Sequence, residues 1–440
     1  MLRQTLSEYG MLLVLLLLCA ILSVLTWAEQ HPTGVTAARQ IAAQISASPN
    51  PAQAHVLIVV RNHADDLAFA DSLKELLRTV VEVPPKIVSG GPSDARSALE
   101  SAAQTSPSRL DFIACNEVTA AWSVVERAAT TYPTFSNVRI VKPHSYRWPN
   151  FLKVDNLRNI ANQIAVIAMV AIGMTLVIIA GQIDLSVGSL IALSAVVAAR
   201  FIRDFAGAEQ ASAAGQVLGC GLAIALCAAV GAISGSIVTL LRMPSFIVTL
   251  GMMLIGSGVA EILSAGQSIN QVPDSFGWLG SKADLFRIPN CVVLMLFLYV
   301  IAHILMTRTV FGRYLYAVGG NAEAARLSSV PVNLVTNTAF TLCGALAGLG
   351  GVVLASQLKS GAPTYGEKYE LYAIAAVVVG GTSLSGGEGK IFGTLIGALI
   401  IAVIQNGMNL LNIGSYTQKV VLGLVILASV FLDRTRRSNT

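Results

Sequence analysis

Apolar and polar positions along the chain fall into long blocks rather than short alternations. Apolar runs, most of them close to the roughly 20 residues that cross a hydrocarbon core as a helix, lie near 11–27, 158–180, 185–202, 214–241, 244–265, 289–307, 333–356, 371–384, 391–411 and 415–432. They predict ten transmembrane helices, which puts both termini on one side. Composition agrees: 54% hydrophobic and 12% charged residues, with a mean hydropathy of +0.67, exclude a soluble globular protein. The expected fold class is an all-α polytopic membrane protein with about ten transmembrane helices and one inserted α/β domain.

The insertion, residues 29–147, separates a first helix (1–28) from the remaining spans (148–440) and is polar and long enough to fold as a domain. HVLIVV, KIVSG, LDFIACN and VRIV have the composition of strands. ADDLAFADSLKELLRTV, PSDARSALESAAQ and VTAAWSVVERAATTY between them have the period of amphipathic helices. Alternation of this kind predicts a parallel sheet covered by helices. Asp65, Asp66, Asn116 and Glu117 fall at strand-to-helix turns, where open α/β sheets place ligands. The same residue types also serve as helix caps and turn residues. HSYRWPN reads as a linker back to the membrane, with Trp148 suited to the interface.

Orientation follows from Lys and Arg in the short loops. Arg3, Arg242, Arg308, Arg313, Arg326, Arg434, Arg436 and Arg437 fall on one face in the ten-span count, which makes that face and both termini cytoplasmic and the inserted domain extracytoplasmic. The net charge of +5 then reports topology and not nucleic-acid binding. Arg3 followed by the first apolar run also has the form of a signal peptide. Thr26-Trp27-Ala28 is a poor cleavage site, so the run is read as an uncleaved helix.

The loop 308–332 carries the clearest local signals. Gly319 and Gly320 are expected to interrupt one helix, Asn321 to cap another, Glu323 and Arg326 to occupy its first and last turns, and Pro331 to end it. A helix of about two turns is not stable alone, so its order must come from packing on this chain or on a partner.

Three segments, GRYLYAVGGNAEAARLSSVPVN, TLVIIAGQIDLSVGSLIALS and GEKYELYAIAAVVVGGTSLSGGEGKIFGTLIGALIIAVIQNGMNLL, resemble the membrane permease of ABC importers of the ribose, xylose and galactoside type. The resemblance runs from about Trp148 to the C-terminus. It implies a bacterial inner-membrane subunit that works as a homodimer with a cytosolic ABC ATPase and an extracytoplasmic sugar-binding protein. ATP would be bound by the partner and not by this chain. Gly320, Asn321, Glu323, Ala324, Ala325, Arg326 and Ser328 would contact the ATPase. Ser329 stands where the family usually has Gly, and Gln182 likewise. The inserted domain is similar in element order to one lobe of a periplasmic sugar-binding protein, chiefly through LDFIACNEVTAAWSVVERA; the family has only a short connection there.

Within the spans, GQIDLSVGS places Asp184 between two apolar helices. A charge at mid-bilayer costs about 2.5–3.5 kcal/mol on insertion scales, so Asp184 must be interfacial, paired or facing a polar cavity. It is read as capping a helix that begins at Leu185. VVVGGTSLSGGEGKIFGTLIGALI repeats the order of helix, glycine break and helix, as broken helices lining a transport pathway do. Gln163, Asp184, Ser186, Thr382, Ser383, Gln405 and Asn406 are the polar pathway candidates. Glycine pairs at GxxxG spacing, such as Gly231 with Gly235 and Gly344 with Gly348, predict close helix packing.

LSGGE at 384–388 and Gly389-Lys390 superficially resemble nucleotide-binding signatures. Leu384 and Ile391 occupy the positions where a phosphate loop needs Gly and Ser or Thr. No metal, disulfide or nucleophile-and-base pattern is visible, so a transport subunit and not an enzyme is expected. The substrate implied is a monosaccharide, a pentose or hexose such as ribose or xylose. The alternatives are a branched-chain amino acid permease, an ion-coupled carrier using Asp184, Glu261 or His303, and a receptor whose spans only anchor it.

Overall fold

A computed structural model describes residues 2–104, 109–285 and 287–437. The chain forms two compact units, residues 27–149 and residues 1–26 with 150–440.

The larger unit is helical. Among the described residues, six helices are long and apolar enough to cross a membrane: Val154–Ile179, Ala213–Leu240, Ser245–Ser264, Asn290–Arg308, Val332–Leu358 and Ile391–Leu410. Leu2–Leu25, Val187–Phe205 and Ser415–Arg437 are further helices within it. The run expected at 371–384 is only an 11-residue helix, Tyr369–Val379. At 1.5 Å per residue it covers about 16 Å, half of a hydrocarbon core, because the chain turns at Gly380 and Gly381.

Val154–Ile179 is the central helix. It is buried on every side from Ile164 to Ile179, as its uninterrupted apolar sequence requires. Val332–Leu358, Asn290–Arg308, Tyr369–Val379 and Ile391–Leu410 pack on it. In lipid the apolar effect between helices is weak, and close backbone approach supplies the contact. Ala213–Leu240 and Val332–Leu358 meet in this way: a Cβ on Gly231 would stand 2.3 Å from the Phe340 carbonyl oxygen, and one on Gly344 would stand 2.3 Å from that of Cys227.

The smaller unit holds a four-stranded parallel sheet in the order Lys86–Ser89, Val56–Val60, Phe112–Cys115, Arg139–Val141. Val56–Val60 is fully buried. Helices Gly34–Ser46 and Ala64–Leu77 bury Ile41, Ile45, Phe69 and Leu73 with one apolar cluster, and Pro92–Gln104 contributes Ala95 and Leu99 to a second. The helix expected over 118–132 is instead three single turns, 117–120, 123–126 and 128–131. Thr119, Val124, Val125, Thr130 and Thr131 are poor helix formers, and the Thr119 hydroxyl donates across to the Val59 carbonyl at 2.8 Å. HSYRWPN is also more than a linker. Tyr146–Pro149 pairs antiparallel with Trp27–Gln30, and the Gln30 amide donates to the Trp148 carbonyl at 3.1 Å.

Candidate translocation and coupling site

Two interrupted helices organise the larger unit. Val154–Ile179 ends at Ala180, Gly181 takes a left-handed φ of +73°, and a non-helical stretch leads to Val187. Gln182 does not need positive φ, so the turn forms without a second glycine. The helix begins at Val187 and not at Leu185: Asp184 Oδ1 accepts from the backbone N–H of Ser186 at 2.9 Å and from its hydroxyl at 2.6 Å, closing a local turn two residues before the helix. Both residues are fully buried. The second interruption follows Val379, where Gly381, Gly386 and Gly387 all adopt positive φ before Ile391–Leu410 begins. Thr382 and Ser383 are buried in that loop, and the Ser383 hydroxyl accepts from the Ser385 N–H at 3.1 Å. Among the described residues, Asp184 Oδ2 and Thr382 Oγ1 are buried without a hydrogen-bond partner.

The 308–332 loop contains two helices. Val310–Gly320 runs through Gly319 and Gly320 instead of ending before them, and the break falls at Asn321, which is extended at φ −161°. Asn321 then caps Ala322–Leu327, its side chain accepting from the Ala324 N–H at 2.9 Å. Ala325 is the buried residue of this short helix. Ala324, Glu323, Arg326, Leu327 and Ser328 are exposed. Arg326 Nε donates to Glu323 at 3.2 Å, and that hydrogen bond holds the Glu323 carboxyl below its ordinary pKa.

The root of this short helix touches both interruptions through backbone. Gly387 N–H donates to the Ile179 carbonyl at 2.9 Å, and a Cβ on Gly319 would lie 1.7 Å from that same oxygen and 2.5 Å from Gly387 N. A Cβ on Gly386 would lie 2.8 Å from the Gly319 oxygen and 2.9 Å from Gly181 Cα. The Tyr316 hydroxyl adds a bond to the Gly389 carbonyl at 2.7 Å. Side chains are excluded from this junction, so a displacement of Gly319 is felt directly by both loops.

The remaining pathway candidates are dispersed. Asn406 exchanges hydrogen bonds with Asn156 at 2.8 and 3.0 Å, joining two helices. Gln405 is half-buried, and Gln163 is exposed on the outer side of the central helix. Its neighbour Asn162 turns inward, accepting from Cys291 at 2.8 Å. Glu370 was not a candidate by sequence. It lies in the first turn of Tyr369–Val379, and its carboxylate fills the space left by the missing side chain of Gly188, with Oε2 2.1 Å from where a Cβ there would be.

In the smaller unit, Asp66 is buried and receives Arg61 Nε at 2.7 Å. Burial raises its carboxyl, but the hydrogen bonds from Arg61 and Asn116 outweigh this and hold it below its ordinary pKa. Asn116 caps the turn 117–120, Glu117 receives Lys142 at 3.1 Å, and Asp65 is exposed. These contacts occupy Asp66, Asn116 and Glu117 within the unit itself.

Long apolar helices around two glycine-broken elements, with a short exposed helix rooted on both, define a polytopic membrane transport permease. Residues 156–430 match the family described as branched-chain amino acid transport system / permease component, and the chain belongs to it. The chain is 45% identical over 293 residues to the ribose import permease protein RbsC of Escherichia coli (strain K12), covering 66% of this chain and 88% of the relative. It is 39% identical over 289 residues to the L-arabinose transport system permease protein AraH of the same strain, covering 66% and 85%. It is 37% identical over 296 residues to the probable ABC transporter permease protein y4mJ of Sinorhizobium fredii (strain NBRC 101917 / NGR234), covering 67% and 84%. No solved structure was found to match. The chain is thus a transport component and not an enzyme, and the family match does not include residues 27–149.

Proposed function

We propose that the chain is the membrane permease of an ATP-driven importer that passes a monosaccharide inward across a bacterial inner membrane. Relatives named as ribose and L-arabinose permeases support the substrate class. In this reading a second copy completes the translocation pathway, a cytosolic ABC ATPase docks on Ala322–Leu327, and an extracytoplasmic sugar-binding protein delivers the substrate. A first helix that crosses outward from a cytoplasmic N-terminus puts the 27–149 unit outside the cytoplasm, where it serves as a docking surface for that protein or as a remnant of a fused receptor.

The observation that carries the mechanism is the glycine junction. Closure of the ATPase pushes the exposed helix, the push reaches Gly319, and the backbone contacts from Gly319 to Ile179 and Gly387 pass it to both interrupted elements together. Motion of interrupted elements is what opens such a pathway on one side and closes it on the other.

The test is copurification of the permease with its cytosolic ATPase, comparing wild type with Ala324→Arg and Arg326→Glu. Both positions are exposed, so the permease itself should remain folded. Loss of the ATPase in the variants is the expected result. Unchanged copurification would refute docking on this helix, and a wild type that binds no ABC ATPase would refute the importer.

A further inference from the structure

A cavity of about 430 Å³ lies within the larger unit, between the first turn of Val187–Phe205, the helix Ser245–Ser264 and the chain from Pro363 to Glu370. Its volume is within the range of about 300–1,000 Å³ typical of small-molecule sites. Its polar lining comes from separate elements and includes Ser189, Ser257, Glu261, Tyr365, Lys368 and Glu370. Resting on the import reading above, we propose that this cavity is a monosaccharide-binding station inside the permease, with Glu370 as its principal hydroxyl acceptor.

The backbone is arranged to put Glu370 there. Gly188 and Gly366 pack against each other, a Cβ on Gly366 standing 2.5 Å from the Gly188 oxygen, and the missing side chain of Gly188 admits the carboxylate. Gly256 likewise makes room for Ser189, whose hydroxyl would lie 2.7 Å from a Cβ there. Four elements therefore meet closely around an open volume whose apolar lining is interrupted by these polar groups.

The chemistry of the lining selects for a neutral polyol. Lys368 pairs with Glu367 at 3.1 Å, and among the described residues Glu261 and Glu370 have no ion-pair partner. Two carboxylates of this kind repel an anion. A sugar hydroxyl, by contrast, donates to a carboxylate and accepts from a serine hydroxyl or an ammonium, so vicinal hydroxyls use both kinds of group at once. The Tyr365 ring supplies an apolar face for the C–H side of a sugar ring.

The experiment uses the complete transporter in proteoliposomes, with Thr364→Cys as a reporter on the cavity wall and maleimide labelling at position 364 read by mass spectrometry. Saturating D-ribose or L-arabinose should slow that labelling roughly tenfold. Adding Glu370→Gln should raise the protecting concentration by roughly tenfold or more, because a charge-assisted bond becomes a neutral one. Glu261→Gln, on the exposed side of its helix, carries the same expectation in weaker form should Glu370→Gln not fold. Labelling unaffected by D-ribose, L-arabinose, D-xylose and D-galactose, or slowed only by isoleucine, would overturn the inference. Uptake of the same sugars is measured in parallel: absence of all uptake defeats the import reading and this inference with it, whereas uptake with no protection defeats this inference alone.

Discussion

Neighbouring glycines at the root of the short exposed helix Ala322–Leu327 face different surroundings, and that difference gives a sharp test. In Gly319→Ala the new Cβ would begin 1.7 Å from the Ile179 carbonyl oxygen and 2.5 Å from Gly387 N. Contacts of that kind do not occur below about 3 Å, so backbone must retreat by more than about 1 Å, and backbone here has no flexible side chain to absorb the change. Overpacking of this type costs about 1–3 kcal/mol. Separating Gly387 N–H from the Ile179 oxygen, now 2.9 Å apart, adds about 0.5–1.5 kcal/mol. Gly320→Ala, one residue on, meets nothing within 4 Å and improves helix propensity by up to about 1 kcal/mol. The assay is sugar uptake and ATP hydrolysis by the reconstituted transporter, with thermal stability measured on the same preparations. Gly319→Ala should retain the ATPase, because Ala322–Leu327 is unaltered, yet lose most uptake per ATP and melt earlier; Gly320→Ala should match wild type. Equal uptake and equal melting temperature for the two variants would refute the junction as the transmitting element.

Three further outcomes follow from the same structure. Ser329 is held at φ +63°, a conformation that costs a non-glycine residue about 1 kcal/mol or more, so Ser329→Gly should raise the melting temperature; a fall would show that the hydroxyl matters more than the strain. A double-mutant cycle on Asn156 and Asn406, each to Ala, should give a coupling of about 0.6–1.7 kcal/mol, from the average to the maximum measured for hydrogen bonds between membrane helices, and a coupling near zero would remove their role as a tie. Asp66→Asn should weaken the 27–149 unit at neutral pH by roughly 1 kcal/mol, a value discounted because Arg61 is half-exposed. Since the folded Asp66 carboxyl titrates below its ordinary value of about 4, the contribution is complete above that value and fades as pH falls through the lowered one. Protease resistance of the unit, compared between wild type and variant, should therefore converge in acid, and a gap that widens there would contradict the assignment.

What could be read before any coordinates were those features whose causes are local. Asn321, Glu323 and Arg326 form a capped helix because the capping and end-charge signals lie within six residues of one another. The strands at 56–60, 86–89 and 112–115 follow from short apolar runs between turn residues. Relations between distant segments were not legible. Nothing near Gly188 in sequence announces that Glu370 will occupy its missing side chain, and nothing near Gly319 announces Ile179 and Gly387. Glycine as a helix breaker also failed at Gly319 and Gly320, because packing against the interrupted elements keeps them helical at a cost their propensity alone would forbid. Polarity within an apolar run likewise did not tell Gln163, exposed on the central helix, from its neighbour Asn162, which accepts from Cys291.

The antiparallel pair that opens and closes the smaller unit bears on how such a chain can be acquired. Trp27 is opposite Pro149 and Gln30 opposite Tyr146, so the polypeptide departs and returns about one strand spacing, roughly 5 Å, apart. In the larger unit, Asn150 N–H bonds to the Thr26 carbonyl at 2.9 Å and Phe151 N–H to the Thr26 hydroxyl at 3.1 Å, joining the flanking segments directly. A segment whose ends already meet behaves as a cassette: a gene can gain it, lose it or exchange it for another while the helices on either side keep their places.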